Sequence, residues 1–154
     1  LGPESLAVLG GALALAGGLL GSAIGIGIAA SAGLAALSQD SAQFRNVIIL
    51  SSLPMTQSFY GLIVLILVLT AVVPSLPAEG NSGFTVLGAC LIATFAFAAS
   101  AIYQGSVCAS GNSLLPKTRG GILTSSMMLA VFVELIAVLG LVFTIMAFTI
   151  LGVM

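Results

Sequence analysis

The sequence predicts an all-α membrane protein whose four spanning helices form two duplicated helical hairpins. Three observations carry that expectation. Of the 154 residues, 60% are hydrophobic and only 5% charged, with a mean hydropathy of +1.31, which is more apolar side chain than a soluble domain of this size can bury. The polar residues gather into three short breaks, leaving four apolar runs that can each cross a bilayer. Short stretches of the first half also recur in the second half at a nearly constant offset.

The first span covers residues 5–37 and is read as a retained helix, because no basic stretch precedes its apolar run. The break at residues 38–45 holds Gln39, Asp40, Gln43 and Arg45 and separates it from the second span, residues 46–73. A second break at 74–83, with two prolines and Glu79, leads to the third span at 84–115. Pro116, Lys117, Thr118, Arg119 and Gly120 form the third break, before the last span at 121–151. Barrel strands would need an alternation of apolar and polar residues that these spans lack. One membrane domain, residues 1–154, is therefore expected, with a first hairpin at 5–73 and a second at 84–151.

Arg45, Lys117 and Arg119 are the three basic residues, and all fall in the first and third breaks. An even number of crossings places those breaks on one side, which the excess of positive charge marks as cytoplasmic. Both termini are then expected on the opposite face. The duplication is visible where Ser22-Ala23-Ile24-Gly25-Ile26-Gly27 returns as Ser100-Ala101-Ile102-Tyr103-Gln104-Gly105, and Gly33 as Gly111. Gly61-Leu62-Ile63 returns as Gly140-Leu141-Val142, so the halves are related in parallel rather than inverted.

Several function classes are excluded by composition. Three Lys and Arg against four Asp and Glu, with no charge run, leave no footprint for a nucleic-acid backbone. The absence of His removes Ser-His-Asp and Cys-His chemistry and the zinc motifs built on His. Cys90 and Cys108 read as small apolar fillers of the third span. No organic cofactor is expected.

The first span places Gly17, Gly21, Gly25, Ala29 and Gly33 at intervals of four, a stripe of small residues on one helix face. Such a stripe allows close helix packing, either within one bundle or between the copies of a ring. Glu134 is the one charge deep inside a span, with Val131, Phe132 and Val133 before it and Leu135 and Ile136 after. It lies 15 residues past Arg119, about 22 Å along a helix and beyond the reach of a snorkelling carboxylate. A charge at that depth costs about 2.5–3.5 kcal/mol on insertion scales, so it marks a functional site.

Gln57, Tyr60 and Gln104 fall at a matching depth, and Leu53, Thr56, Gln57 and Tyr60 share a face of the second span. With no internal counter-ion, Glu134 must meet a proton, a cation or an arginine from another subunit. Amide oxygens from Gln57 and Gln104, the Thr56 hydroxyl and a free carbonyl are the hard oxygen donors an alkali cation takes, which favours Na+ over H+. Pro54 removes a helical hydrogen bond and frees the carbonyl four residues back, that of Leu50.

Leu53-Pro54-Met55-Thr56-Gln57-Ser58-Phe59-Tyr60-Gly61, Tyr103-Gln104-Gly105 and Val133-Glu134-Leu135-Ile136-Ala137-Val138-Leu139-Gly140 resemble the duplicated, four-helix proteolipid of V/A-type rotary ATPases. That proteolipid, known as K or c, builds the membrane rotor ring, and the likeness is nearest to the sodium-translocating bacterial type. The resemblance implies Glu134 as the ion carrier, with Thr56, Gln57 and Gln104 giving side-chain oxygens, Leu53 its backbone carbonyl, and Tyr60 a hydrogen bond to the carboxylate. Met55 stands where the second half has Glu134, implying one ion site per four helices.

The resemblance further implies a homo-oligomeric ring in a prokaryotic cell membrane. Its expected partners are membrane lipid, a stator subunit supplying half-channels and an arginine, and cytoplasmic central-stalk subunits. The chain itself is then non-catalytic and couples rotation to ion flux. Alternatives are the same rotor carrying H+, a small ion-coupled transporter, and a purely structural membrane protein.

Overall fold

The computed structural model describes residues 2–154, and among them no strand occurs. Helix α1 runs Pro3–Gln39, with a proline in its first turn and Glu4 beside the positive end of the helix dipole. It stops at Asp40, whose backbone is extended and whose carboxylate accepts from the Ala42 N–H at 3.1 Å and from Gln43 Nε2 at 2.9 Å. That capping begins the second span, α2, Ser41–Ser75. Only Asp40 is non-helical here, so the break expected at 38–45 is nearly all helix. One short acidic cap reverses the chain without a longer loop.

Helix α2 is continuous but not uniform. It tightens to a 3-10 turn at Leu53–Met55 and widens to a π segment at Val68–Val72. Each irregularity lies beside a proline, Pro54 or Pro74, which withholds one N–H from the helical ladder. Helix α3 runs Ser82–Thr118 and carries Pro116 inside its last turn. The helix was expected to end before Pro116; one missing hydrogen bond does not unwind the turn that seats the buried Leu115. It ends instead at Arg119 and Gly120, both at positive φ, with the Gly120 N–H donating to the Leu115 carbonyl at 3.0 Å. Helix α4 runs Leu123–Ile150.

All four helices are long and apolar enough to cross a membrane. The chain is thus a multi-pass membrane protein. Helices α1 and α3 pack face to face, with α2 and α4 flanking them. The glycine stripe makes that contact possible: a Cβ at Gly17 would meet Thr94, one at Gly21 would meet Ala98, and one at Gly25 the carbonyl of Ala101. On the facing helix, a Cβ at Gly105 would collide with the Gly25 backbone. Further along the stripe, the Ala29 carbonyl accepts from Asn112 Nδ2 at 2.8 Å, while Gly33 makes room for Val47 of α2. The small residues expected to serve a bundle or a ring therefore pack inside one chain.

The two basic turns meet at one end, where a Cβ on Gly120 would lie 3.0 Å from Gln43 Oε1. Two apolar clusters fill the interior. One holds Val64, Val68, Val86, Phe97 and Phe148, and the other, nearer the basic turns, holds Val47, Leu50, Cys108 and Leu115. Cys90 and Cys108 are buried free thiols, one in each cluster. Between the clusters lies a layer of polar side chains.

Candidate functional site

Within that layer, Gln57 and Gln104 are completely buried, and Glu134 is half-buried at the surface between α2 and α4. Helix α2 supplies Thr56, Gln57 and Tyr60 from the turn just after Pro54, α3 supplies Gln104, and α4 supplies Glu134. Gln57, Tyr60, Gln104 and Glu134, expected at one depth, join one hydrogen-bonded network together with Thr56.

The carboxylate is held by three donors. Glu134 Oε1 accepts from Thr56 Oγ1 at 2.7 Å and from the Tyr60 hydroxyl at 2.9 Å, and Oε2 accepts from Gln104 Nε2 at 3.1 Å. Tyr60 is steadied by an inclined contact with Phe97, ring centroids 6.0 Å apart. No basic side chain can reach the carboxylate, because Arg45, Lys117 and Arg119 all lie at the turns. Charge on Glu134 is therefore met by dipoles alone.

Thr56 Oγ1 gathers more oxygen than one hydroxyl can bond. Besides Glu134 Oε1 it lies 3.2 Å from Gln57 Oε1 and 3.4 Å from the Leu53 carbonyl. It owns one hydrogen, and the 2.7 Å separation assigns that hydrogen to Glu134. The Gln57 and Leu53 oxygens are left beside the Thr56 oxygen without a hydrogen from that hydroxyl. Such a gathering is electron-rich and suits a small hard cation.

Two expectations differ from the geometry. The carbonyl expected from the missing Pro54 N–H was that of Leu50, yet the one beside Thr56 is that of Leu53, and Leu50 is packed in the cluster near the basic turns. The 3-10 turn over Leu53–Met55 redirects the local carbonyls, and a threonine hydroxyl reaches most readily to a carbonyl three or four residues back. Gln104 was expected to offer oxygen, but it turns Nε2 toward Glu134 and toward the Ala130 carbonyl at 3.2 Å. A carboxylate can only accept, so the nitrogen faces it. Gln104 Oε1 accepts from Gln57 Nε2 at 2.8 Å and keeps a second lone pair.

Ser100, read from the sequence only as part of the repeat, also belongs to the network. Its hydroxyl lies 3.1 Å from Gln57 Nε2 and 2.9 Å from the Val133 carbonyl. The available signal was its position one turn before Gln104 on the same helix face. Serines are common in membrane helices as packing residues, so that spacing did not single it out.

The family model for the C subunit of ATP synthase matches the chain twice, over residues 9–68 and 87–147. The A-type ATP synthase subunit K of Methanocaldococcus jannaschii is 39% identical over 139 residues, covering 88% of this chain and 60% of the relative. The V-type sodium ATPase subunit K of Enterococcus hirae is 32% identical over 123 residues, covering 80% of this chain and 77% of the relative. The chain thus spans less than two thirds of the archaeal relative's length. The double match agrees with the internal repeat and with four spanning helices, and the chain belongs to the family of the ATP synthase C subunit, carrying the family's unit twice.

Proposed function

We propose that this chain is the ion-carrying rotor subunit of a V/A-type ATPase or synthase, and that each copy carries one Na+ at Glu134. Thr56, Gln57 and Leu53 would supply further oxygens, Gln104 the free lone pair of Oε1, and Tyr60 a hydrogen bond holding the carboxylate. The observation that carries the reading is the set of oxygens around Thr56 Oγ1 that one hydrogen cannot satisfy. The sodium ATPase relative supports the choice of ion.

The proposed mechanism is charge exclusion. With Na+ bound, the site is nearly neutral and tolerates lipid; emptied, Glu134 carries a full charge whose burial in hydrocarbon is costly. Loading and unloading are then confined to the half-channels of a stator subunit, whose arginine meets the emptied carboxylate. The copies close into a ring, and the turns bearing Arg45, Lys117 and Arg119 face the cytoplasmic stalk of a prokaryotic cell membrane. The chain is non-catalytic, ATP chemistry belonging to other subunits, and uses no organic cofactor.

Carbodiimide, which attacks the protonated carboxyl, tests this reading when modification of Glu134 is followed by mass spectrometry across pH at constant ionic strength. Protection by Na+ that weakens as pH falls is the expected result. Labelling that varies with pH and ignores Na+ would make the ring a proton carrier. Native mass measurement separates a closed ring from the monomer or small oligomer of an ion-coupled transporter.

A further inference from the structure

We infer that Ser100 is a positioning residue for the ion site: its hydroxyl fixes which way round the Gln57 amide lies, keeping Gln57 Oε1 among the oxygens around Thr56. The inference rests on the reading of Glu134 as the Na+ carrier. Ser100 is 2% exposed and lies between Gln57 of α2 and the Val133 backbone of α4. Its single hydrogen goes to the Val133 carbonyl at 2.9 Å, because a carbonyl can only accept. Toward Gln57 it therefore presents lone pairs, and only the amide nitrogen can face it.

Both Nε2 hydrogens of Gln57 are thereby used, one on Ser100 Oγ and one on Gln104 Oε1 at 2.8 Å. Gln57 Oε1 is left pointing the other way, 3.2 Å from Thr56 Oγ1. The reversed amide would press its oxygen against Gln104 Oε1 and turn N–H groups toward the place the cation needs. Without the Ser100 hydroxyl, one N–H of a fully buried amide loses its partner, and the Val133 carbonyl next to Glu134 loses a tie to α3.

The duplicated half offers an internal comparison. Ser22 is the repeat counterpart of Ser100, and Ile26 stands where the second half has Gln104. In that half, which has Met55 in place of a carboxylate, the Ser22 hydroxyl is buried with no hydrogen-bond partner. The repeated serine is thus bonded only in the half where Gln57 donates to it and the Val133 carbonyl accepts from it.

The test compares Ser100→Ala and Ser100→Thr with the wild type in intact rings, using the Na+ concentration that half-protects Glu134 from carbodiimide. Loss of one net hydrogen bond should raise that concentration roughly three- to tenfold in S100A, while labelling without Na+ and the ring mass stay unchanged. S100T, which keeps a hydroxyl, should return toward the wild type. An unshifted S100A curve overturns the inference. Solid-state NMR of rings with 15N-labelled glutamine side chains and 13C-labelled serine decides independently of the variants' folding and of the ion. A Gln57 Nε2 to Ser100 contact is expected, and its absence overturns the inference. Failure of Na+ to protect the wild type would sink the sodium reading alone.

Discussion

Replacing Thr56 by Val removes one hydroxyl and little else, since the two side chains have the same branched shape. The hydroxyl donates to Glu134 Oε1 at 2.7 Å and is the oxygen around which those of Gln57 and Leu53 collect. Taking the worth of a hydrogen bond to a charged group, about 1.5–3 kcal/mol, as the scale for one oxygen withdrawn from a bound cation sets the size of the effect. At about 1.4 kcal/mol per decade, Na+ affinity should fall roughly ten- to hundredfold. Half-protection of Glu134 from carbodiimide, at fixed pH and ionic strength on rings of verified mass, reads this shift directly. Thr56→Ser keeps the hydroxyl and should stay near the wild type. If Thr56→Val binds Na+ within about twofold of the wild type, the oxygens around Thr56 are not the ligand shell and the assignment built on them fails.

Glu134→Gln, which keeps the shape of the side chain but not its charge, should give rings that assemble yet move no ions in reconstituted vesicles; continued pumping would remove Glu134 from the carrier role. Gly105→Ala places a Cβ against the Gly25 backbone, which has no flexible end to yield. Helices α1 and α3 must move apart, at a cost of about 1–3 kcal/mol, so less ring should survive detergent extraction and heating. Gly88→Ala, Gly27→Ala and Gly2→Ala, where a Cβ would meet nothing within 4 Å of the same chain, should leave the α1–α3 contact within the chain undisturbed.

The fold could be read from the sequence because hydropathy and sparse polar breaks are strong signals, but the exact turns could not. Ser38, Gln39 and Pro116 look like breakers yet lie in helices, since the packing of long apolar spans outweighs one polar residue or one lost N–H. The π segment at Val68–Val72 leaves no mark in a uniformly apolar stretch. At the site, depth counting grouped Glu134, Gln57, Gln104 and Tyr60, because rise per residue is a dependable ruler in a helix, and the shared face of the second span added Thr56. What escaped it depends on local backbone geometry and on amide direction. The carbonyl beside Thr56 is that of Leu53, which the family resemblance implied, and not that of Leu50, to which the missing Pro54 N–H pointed, and the acceptor-only carboxylate turned the Gln104 nitrogen inward. Likewise the glycine stripe announced a close approach without naming its partner, which proved to be α3 of the same chain.

A duplicated chain with a single deep carboxylate should hold one ion, not two. Equilibrium binding of radioactive sodium to purified rings, with copy number fixed by native mass, measures that ratio directly. One Na+ per chain in the wild type, falling to none in Glu134→Gln, is the expected result; two per chain, or binding that survives the loss of Glu134, would contradict it.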